Sequence, residues 1–220
     1  MSTNAIAATP LTLGLMGDFD RLSKTESLLR FCSPMVLVRL GRGSEIVRKG
    51  SGLFSAKTTE KQYVELDALC VLLSLPSPET ALDSQLNCLP RSLISVRNNE
   101  LPLWKQLMDP RWSNLFFVGM VIGEKSKERA IQAQCDFIVA YLEGKNALPS
   151  QVAMERDMVE THERRRTFAQ TSARHLPEFD CEKYSSDLRL EMKRGAKRAH
   201  AIGNRRPIVS HAAASDCTLT

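Results

Sequence analysis

The sequence predicts an α/β fold, with strands in its first half and helices in its second. Short apolar runs bounded by turn residues occur at 35–40, 64–73 and 115–122, as expected for strands that are covered on both faces. From Ala130 onward, apolar residues recur at helical spacing instead. The chain has 220 residues, 43% of them hydrophobic, so it is long enough to bury a core.

The helical pattern is clearest between Ala130 and Leu142. Its recurring residues are Ala130, Ile131, Gln134, Phe137, Ile138, Tyr141 and Leu142. Gly144 follows at the position of a left-handed C-cap, and Ser150 is placed to cap a second helix. The inner face of that second helix is predicted to carry Met154, Met158, Thr161 and Phe168. Gly119, inside the third apolar run, predicts close approach of another backbone or of a ligand.

Composition divides the chain into four segments. Residues 1–25 show little pattern and are expected to form a mobile leader, and 26–125 a partial α/β region. Residues 126–192 are expected to form a helical region, and 193–220 a basic flexible tail. Within the second segment, the Pro- and Asn-rich stretch 76–100 predicts a long connection, which is unusual inside a compact domain. We therefore expect an incomplete sheet.

Targeting and metal-binding signals are weak. The first residues lack a basic region and a continuous apolar stretch, and no run approaches the roughly 20 apolar residues that cross a bilayer. The six cysteines form no CxxC pair and no cluster with histidine, so we expect no metal site and reduced thiols in a cytoplasmic protein. Cys70 and Cys135 are expected to be packed in core elements.

Dinucleotide binding requires a glycine fingerprint between a strand and a helix, and the sequence has only partial copies. Gly41-Arg42-Gly43 begins one, but Ile46 stands at the third glycine position. Gly50-Ser51-Gly52 begins another, with Ser55 at that position. Both pairs of glycines are expected to form turns.

Basic residues concentrate between Lys193 and Arg198, within a net charge of +5. Such a segment could attract nucleic acid or act as a nuclear import signal, or it could be a solvated helix end. No aromatic residue is interleaved with the cations, as binding of single strands would favour. The solvated helix end is the preferred interpretation, and nucleic acid is not an expected partner.

A series of short motifs in fixed order covers residues 101 to 199. They are Leu103-Trp104-Lys105, Asp109-Pro110, Asn114 to Gly119, Gln134, Leu142, Gly144, Leu148-Pro149-Ser150, Met154, Arg174-His175 and Tyr184 to Arg198. In order and spacing they resemble the carboxyl-terminal part of the flavin-containing monooxygenases. The family's members are substantially longer, and both of their dinucleotide fingerprints lie in the half that this chain does not contain.

The resemblance implies an incomplete Rossmann-like sheet remnant followed by a mainly helical half. The cofactors of the family are FAD and NADPH, and they supply the redox chemistry while the protein orients and shields it. By resemblance, Gly119 and Gln134 are expected near a cofactor, and Trp104 and Phe117 in a substrate pocket. No catalytic residue is assigned. The chain departs from the family after Asp67, where its Ala-Thr-Gly-Tyr turn is replaced by Leu-Leu-Ser-Leu-Pro.

Two hypotheses from different classes follow for the chain. In the first it is a carboxyl-terminal fragment or diverged relative of an NADPH- and oxygen-dependent monooxygenase acting on a nitrogen, sulfur or carbonyl substrate. This form is expected to be inactive alone and to hold neither cofactor stably. In the second it is a non-enzymatic interaction protein that uses its helical half, 130–168, as a docking surface for a protein partner.

Overall fold

The computed structural model of the chain describes residues 10–17, 35–40, 44–57, 61–73, 86, 89–94, 101–119, 127–171 and 180–205. The strands of this part are β1 (Leu11–Met16), β2 (Met35–Leu40), β3 (Glu45–Arg48), β4 (Phe54–Lys57), β5 (Tyr63–Leu66), β6 (Ala68–Leu72) and β7 (Leu115–Val118). Its helices are α1 (Lys127–Leu142), α2 (Gln151–Thr171) and α3 (Cys181–Ala201). The expected α/β class is confirmed.

Four strands form a parallel sheet in the order β2-β1-β6-β7. The strand β1 lies in the interior of this sheet, with Leu13 opposite Leu37 of β2 and Ala68 of β6. Parallel strands are usually covered on both faces, and every residue of β6 and β7 is buried. The sheet therefore forms the centre of the described structure.

The expectation of a mobile leader over residues 1–25 is wrong for residues 11–16, because these form β1. Leu11, Leu13 and Leu15 alternate with Thr12 and Gly14, and this alternation places the three leucines on one face of the sheet. The pattern is short and is interrupted by a threonine and a glycine, so it is hard to recognise without the neighbouring strands. Residues 1–9 and 18–25 lie outside the described part of the chain.

The segment 64–73, expected to form one buried strand, forms parts of two strands that belong to different sheets. The strand β5 completes an antiparallel sheet in the order β3-β4-β5, whereas β6 joins the parallel sheet. Asp67 lies between them, and its N–H donates to the carbonyl of Thr12 at 2.9 Å. Because the apolar residues continue through this junction, no sequence signal marks the change of sheet.

The parallel sheet has a helical layer on one face and the three-stranded sheet on the other. Phe116 and Val118 of β7 face a core that includes α1, Met154 of α2 and Leu188 of α3. Leu115 and Phe117 face the opposite core, which contains the apolar side chains of the three-stranded sheet: Ile46, Phe54, Ala56 and Leu66. The described elements thus form three layers.

The first two helices follow the sequence pattern closely. Six of the seven residues expected on the inner face of α1 are buried, and Ile131 is partly buried and packs against the same core. Gly144 follows with φ +77°, as expected for a left-handed C-cap. The Ser150 hydroxyl accepts from the N–H of Ala153 at 3.3 Å at the start of α2. The side chain of Phe168 lies outside the described part.

The expected flexible tail from residue 193 is wrong as far as Ala201, because α3 continues to that residue. Asp180 caps the helix by accepting from the N–H groups of Glu182 and Lys183 at 3.0 and 2.9 Å. The residues from 206 onward lie outside the described part. The basic segment therefore belongs to a helix that is packed on the core.

The stretch 76–100, expected as a long connection, contributes to the core where it is described. Leu86, Leu89 and Leu93 are buried against the three-stranded sheet. The Leu93 carbonyl also accepts from the indole N–H of Trp112 at 3.0 Å. Its remaining residues lie outside the description.

Candidate functional site at the carboxyl edge of the sheet

The carboxyl ends of parallel strands are the usual ligand-binding edge of an open α/β sheet. Here β1, β6 and β7 end at the same edge, followed by Gly17, Leu73 and Gly119. Gly119 was expected near a cofactor, and the structure places it at this edge. This edge is therefore where a nucleotide-binding role must be tested first.

The glycines at this edge make room for the neighbouring strand. A Cβ atom on Gly17 would lie 2.8 Å from the Cβ of Leu72, and one on Gly119 would lie 2.5 Å from the carbonyl oxygen of Leu73. Gly119 also has φ +96°, a conformation that side chains disfavour. The close approach expected at Gly119 is confirmed, and the group that approaches is the backbone of Leu73.

The amide of Gln134 holds three separate parts of the chain together. Its Oε1 accepts from the N–H of Gly119 at 3.0 Å. Its Nε2 donates to the carbonyl of Gln106 at 3.2 Å and to the hydroxyl of Tyr184 at 3.0 Å. Gln134 is completely buried, so these bonds supply partners that water cannot. Both amide hydrogens are used within the chain.

The carbonyl of Gln106 belongs to a strained turn at Trp104–Leu107. The N–H of Leu107 donates to the carbonyl of Trp104 at 3.0 Å, and the central residues Lys105 and Gln106 have φ +51° and +52°. Two positive φ angles are typical of a type I′ turn, where Asn-Gly is the usual pair. Because both residues carry a side chain here, this backbone conformation is unfavourable by itself.

Long-range contacts stabilise the turn, which we call the 104–107 turn. The hydroxyl of Tyr184 donates to the carbonyl of Lys105 at 2.8 Å, next to the bond from Gln134. The ammonium of Lys105 lies 2.7 Å from Asp157, which also accepts from the indole N–H of Trp104 at 2.9 Å. All three helices therefore contribute a side chain that holds the turn.

The two residues expected in a substrate pocket lie on opposite faces of the sheet. Trp104 is buried on the helical side, with its ring edge-on to Phe137 at a centroid distance of 5.9 Å. Phe117 is fully buried on the side of the three-stranded sheet. The structure thus brings Gly119 and Gln134 into contact and places Trp104 in the adjoining turn, while Phe117 lies apart from them.

A second polar contact fixes the amino end of β7. The side-chain amide of Asn114 donates to the carbonyls of Asp67 and Gly52 at 2.9 and 3.0 Å, which joins the two sheets. The buried carboxylate of Asp67 accepts from the N–H of Thr12 at 2.7 Å. Both Asn114 and Asp67 match the family motif, and here they connect strands.

The sequence did not single out Gln106, Asp157 or Tyr184 as residues of this site. Tyr184 and Lys105 lie in matched motifs, but the tyrosine is 79 residues from the lysine in the chain and no local pattern links them. Asp157 is surrounded by other charged helix residues, so the sequence could not distinguish its pairing with Lys105 from ordinary charge pairs within the helix.

Burial disfavours ionisation of the groups nearest the core. It raises the pKa of the Cys135 thiol to about 12 and the pKa of Cys70 well above its ordinary value. Burial also raises the pKa of Tyr141 to about 12. These three groups are protonated at neutral pH, and thiols in this state are poor nucleophiles. The expectation that both cysteines are packed in the core is confirmed.

The fit of the edge to a dinucleotide can be tested on its described residues. A pyrophosphate requires free backbone N–H groups with space in front of them. Instead, Gly17 faces Leu72, Gly119 faces Leu73, and the Gly119 N–H donates to Gln134. The described residues of this edge do not form a cradle for FAD or NADPH. The residues that follow the four strands in the sequence, 18–34, 41–43, 74–85 and 120–126, lie outside the described part of the chain.

The described residues show no metal-binding cluster and no membrane-spanning helix. That part of the chain contains no group of three or more His, Cys, Asp or Glu side chains that could hold a metal ion. Among its helices, none is both long and apolar enough to cross a membrane.

Comparison with known proteins found similarity to 18 solved chains, two of which are named below. No family profile matches the chain, and no curated protein matches it. S-allyl-L-cysteine S-oxygenase from Allium sativum is 14% identical, covers 84% of this chain and 45% of its own length, with a TM-score of 0.38. Tmm from Pelagibacter sp. strain HTCC7211 is 14% identical, covers 87% and 42%, with a TM-score of 0.34.

The chain spans less than half the length of either protein. The TM-scores are too low to carry a functional conclusion, so any functional assignment must rest on the residues themselves.

Proposed function

We propose that this chain is a carboxyl-terminal fragment or diverged relative of an FAD- and NADPH-dependent monooxygenase. The proposed reaction class is oxygenation of a nitrogen, sulfur or carbonyl substrate. We further propose that the chain holds neither cofactor stably and is inactive alone.

One observation carries the family part of the proposal. Three separate segments that resemble the family meet at the amide of Gln134, itself a matched position. Gly119, which bonds to Gln134, belongs to the strand motif, and Tyr184, which also bonds to it, belongs to the terminal helix. The 104–107 turn, which contains the Trp-Lys pair of the first motif, supplies the carbonyl of Gln106. Chance similarities in sequence have no reason to converge on one buried hydrogen-bonding group.

The inactivity part of the proposal rests on the carboxyl edge of the sheet. Residues of the neighbouring strand occupy the space beside its described glycines. In addition, the sequence has no complete glycine fingerprint. Gly119 and Gln134 would then act by positioning β7 and the 104–107 turn in an intact relative, beside a cofactor held by other residues.

Two measurements test the proposal. The purified chain should be colourless, with no flavin absorbance, and should not consume NADPH when FAD is added. A yellow protein that oxidises NADPH would show that the inactivity part is wrong. RNA sequencing upstream of Met1 tests whether the chain is a fragment of a longer protein. In that case, an in-frame coding sequence upstream should encode a strand, a GxGxxG motif and a helix.

If such a reading frame exists, the longer protein should bind FAD and oxidise NADPH. If it does not, the chain should be mixed with a separately expressed FAD- and NADPH-binding domain from a flavin monooxygenase. Only one of these two experiments applies, depending on the reading frame. If flavin-dependent NADPH oxidation does not increase in that experiment, the monooxygenase proposal is ruled out.

A non-enzymatic docking role is the second candidate, and one observation favours it. Val152 and Val159 of α2 are 65% and 57% exposed and lie seven residues apart, hence on the same outer face of the helix. Capture of a protein partner that is lost in a Val152→Asp/Val159→Asp variant, with unchanged helical circular dichroism, would favour this role. Retention of the partner would argue against this face.

A further inference from the structure

The outer face of α3 carries a row of cations. Arg189, Lys193 and Lys197 are exposed and follow one another at intervals of four residues. Four residues correspond to about 6 Å along a helix and a rotation of about 40°, so the three side chains occupy one side. We call this surface the α3 basic stripe.

The cations of the stripe differ from the other basic residues of the same helix. Arg194 and Arg198 lie 3.7 and 2.6 Å from the carboxylate oxygens of Glu191, whose side chain is only 7% exposed. By contrast, none of the three stripe residues forms an ion pair with a described residue. The inward-facing carboxylate of Glu191 is therefore taken up by Arg194 and Arg198, and within the described part of the chain the three stripe cations have no ion-pair partner.

The stripe is also held in place. On the opposite side of α3, Leu188, Gly195 and Ala199 are buried against the body of the protein. The Gly195 carbonyl accepts from the N–H of Ala147 at 3.1 Å, and the Arg198 guanidinium donates to the carbonyl of Ala147 at 2.9 Å. A ligand of the stripe thus meets three cations that the packed helix carries at a fixed backbone spacing, so the backbone needs no ordering on binding.

We propose that the α3 basic stripe binds the phosphate backbone of a nucleic-acid duplex. Regularly spaced cations on a rigid helix complement a regular row of phosphates, and the net charge of +5 favours approach to a polyanion. This inference replaces the solvated helix end favoured by the sequence, because the structure shows which cations are paired and which are not.

Two other polyanionic surfaces fit the stripe less well. Single strands bind through bases stacked on aromatic side chains, and the helix segment 189–200 contains no aromatic residue. A membrane-surface helix buries a broad apolar face. Among the exposed large apolar side chains of the described residues, only Leu190 belongs to α3, at 47% exposure.

Fluorescence anisotropy with a labelled duplex tests the proposal. RNA and DNA duplexes of mixed sequence should both bind, because the contacts are to phosphate. With three phosphate contacts, the logarithm of the DNA affinity should fall with the logarithm of salt concentration with a slope of about −2.7. Between about 50 and 200 mM salt, this slope corresponds to roughly 40-fold weaker binding.

A matched pair of variants separates the stripe from bulk charge. Arg189→Glu/Lys193→Glu/Lys197→Glu changes the net charge by −6, from +5 to −1. The control Lys57→Glu/Arg91→Glu/Arg156→Glu changes it equally, at positions on β4, on the turn after Pro90 and on α2. The stripe variant should bind the duplex at least about tenfold more weakly than the control at low salt.

Four outcomes would overturn the proposal. The first is no binding by the unmodified chain at low salt, and the second is an equal loss in both triple variants. The third is tighter binding to a single strand of the same length than to the duplex. The fourth is stripe-dependent binding to vesicles of anionic phospholipid without binding to the duplex. Circular dichroism of both variants should confirm that they keep their helices.

Discussion

Replacing Gly195 with alanine tests a tight contact between α3 and the loop that follows α1. A Cβ atom at this position would overlap the side-chain oxygen of Asn146 and lie 2.6 Å from its Cγ and 3.1 Å from the carbonyl oxygen of Ala147. Asn146 is buried, with 2% of its surface exposed, so its side chain has little room to move. The methyl group must therefore push α3 and the loop apart.

The expected magnitude follows from three opposing contributions. Alanine in a helix interior is favoured over glycine by about 1 kcal/mol. Overpacking of a filled site typically destabilises by about 1–3 kcal/mol. Separation of the helix from the loop also weakens the hydrogen bonds of Ala147 with Gly195 and Arg198, at about 1 kcal/mol each. The net expectation is a decrease of about 2–4 kcal/mol in the free energy of unfolding.

Urea unfolding followed by far-ultraviolet circular dichroism measures this difference. Gly50→Ala is the matched control, because a Cβ there meets no atom within 4 Å and its stability should change little. Asn146→Ala should be nearly neutral, since neither side-chain polar atom of Asn146 has a partner in the described structure. In a Gly195→Ala/Asn146→Ala variant most of the lost stability should return.

A Gly195→Ala protein at least as stable as the original chain would refute this reasoning, because the helix preference for alanine would then fully offset the packing penalty. An equally unstable double variant would show that Asn146 is not the obstacle.

Three further predictions concern the 104–107 turn and the core. Tyr184→Phe removes two hydrogen bonds around the turn and should lower the free energy of unfolding by about 1–2 kcal/mol, whereas Tyr63→Phe, at a residue 72% exposed, should have no effect in the same urea titration. Gln106→Gly relieves a positive φ angle and should raise the unfolding free energy by up to about 1 kcal/mol; a decrease would show that the side chain is needed. Burial raises the pKa of Tyr141 from 10.0 to about 12, so its stabilising contribution is complete below pH 10 and is lost as pH rises through about 12. Tyr141→Phe should flatten the pH dependence of stability in that range by up to about 1.4 kcal/mol per pH unit, and an unchanged slope would contradict the assignment.

The sequence predicted those elements whose evidence is local. The apolar face of α1 repeats within one helix, and Gly144 and Ser150 occupy cap positions next to it. The strand β1 could not be recognised, because its covering side chains belong to α1 and to the three-stranded sheet. The change of sheet at Asp67 was also hidden, since apolar residues lie on both sides of it.

Residues of the candidate site were predicted unevenly for the same reason. Gln134 was found through its matched position, but its three partners are 15, 28 and 50 residues away in the chain. No periodicity relates positions that far apart. The sequence likewise predicted that another backbone or a ligand approaches Gly119. Only the structure shows that the approaching group is the backbone of Leu73.

Several residues that carry the family resemblance have structural roles, so the resemblance does not by itself indicate an enzymatic activity. Asn114 and Gln134 use their side-chain amides to satisfy buried backbone groups of neighbouring strands and turns. Replacing such a residue leaves a buried donor or acceptor unpaired, at about 1–3 kcal/mol, whether or not a cofactor is present. These positions can therefore persist in a chain that has lost its reaction, because they maintain the fold. Flavin content and NADPH oxidation, measured on the chain and on any longer reading frame, are accordingly the measurements that bear on activity.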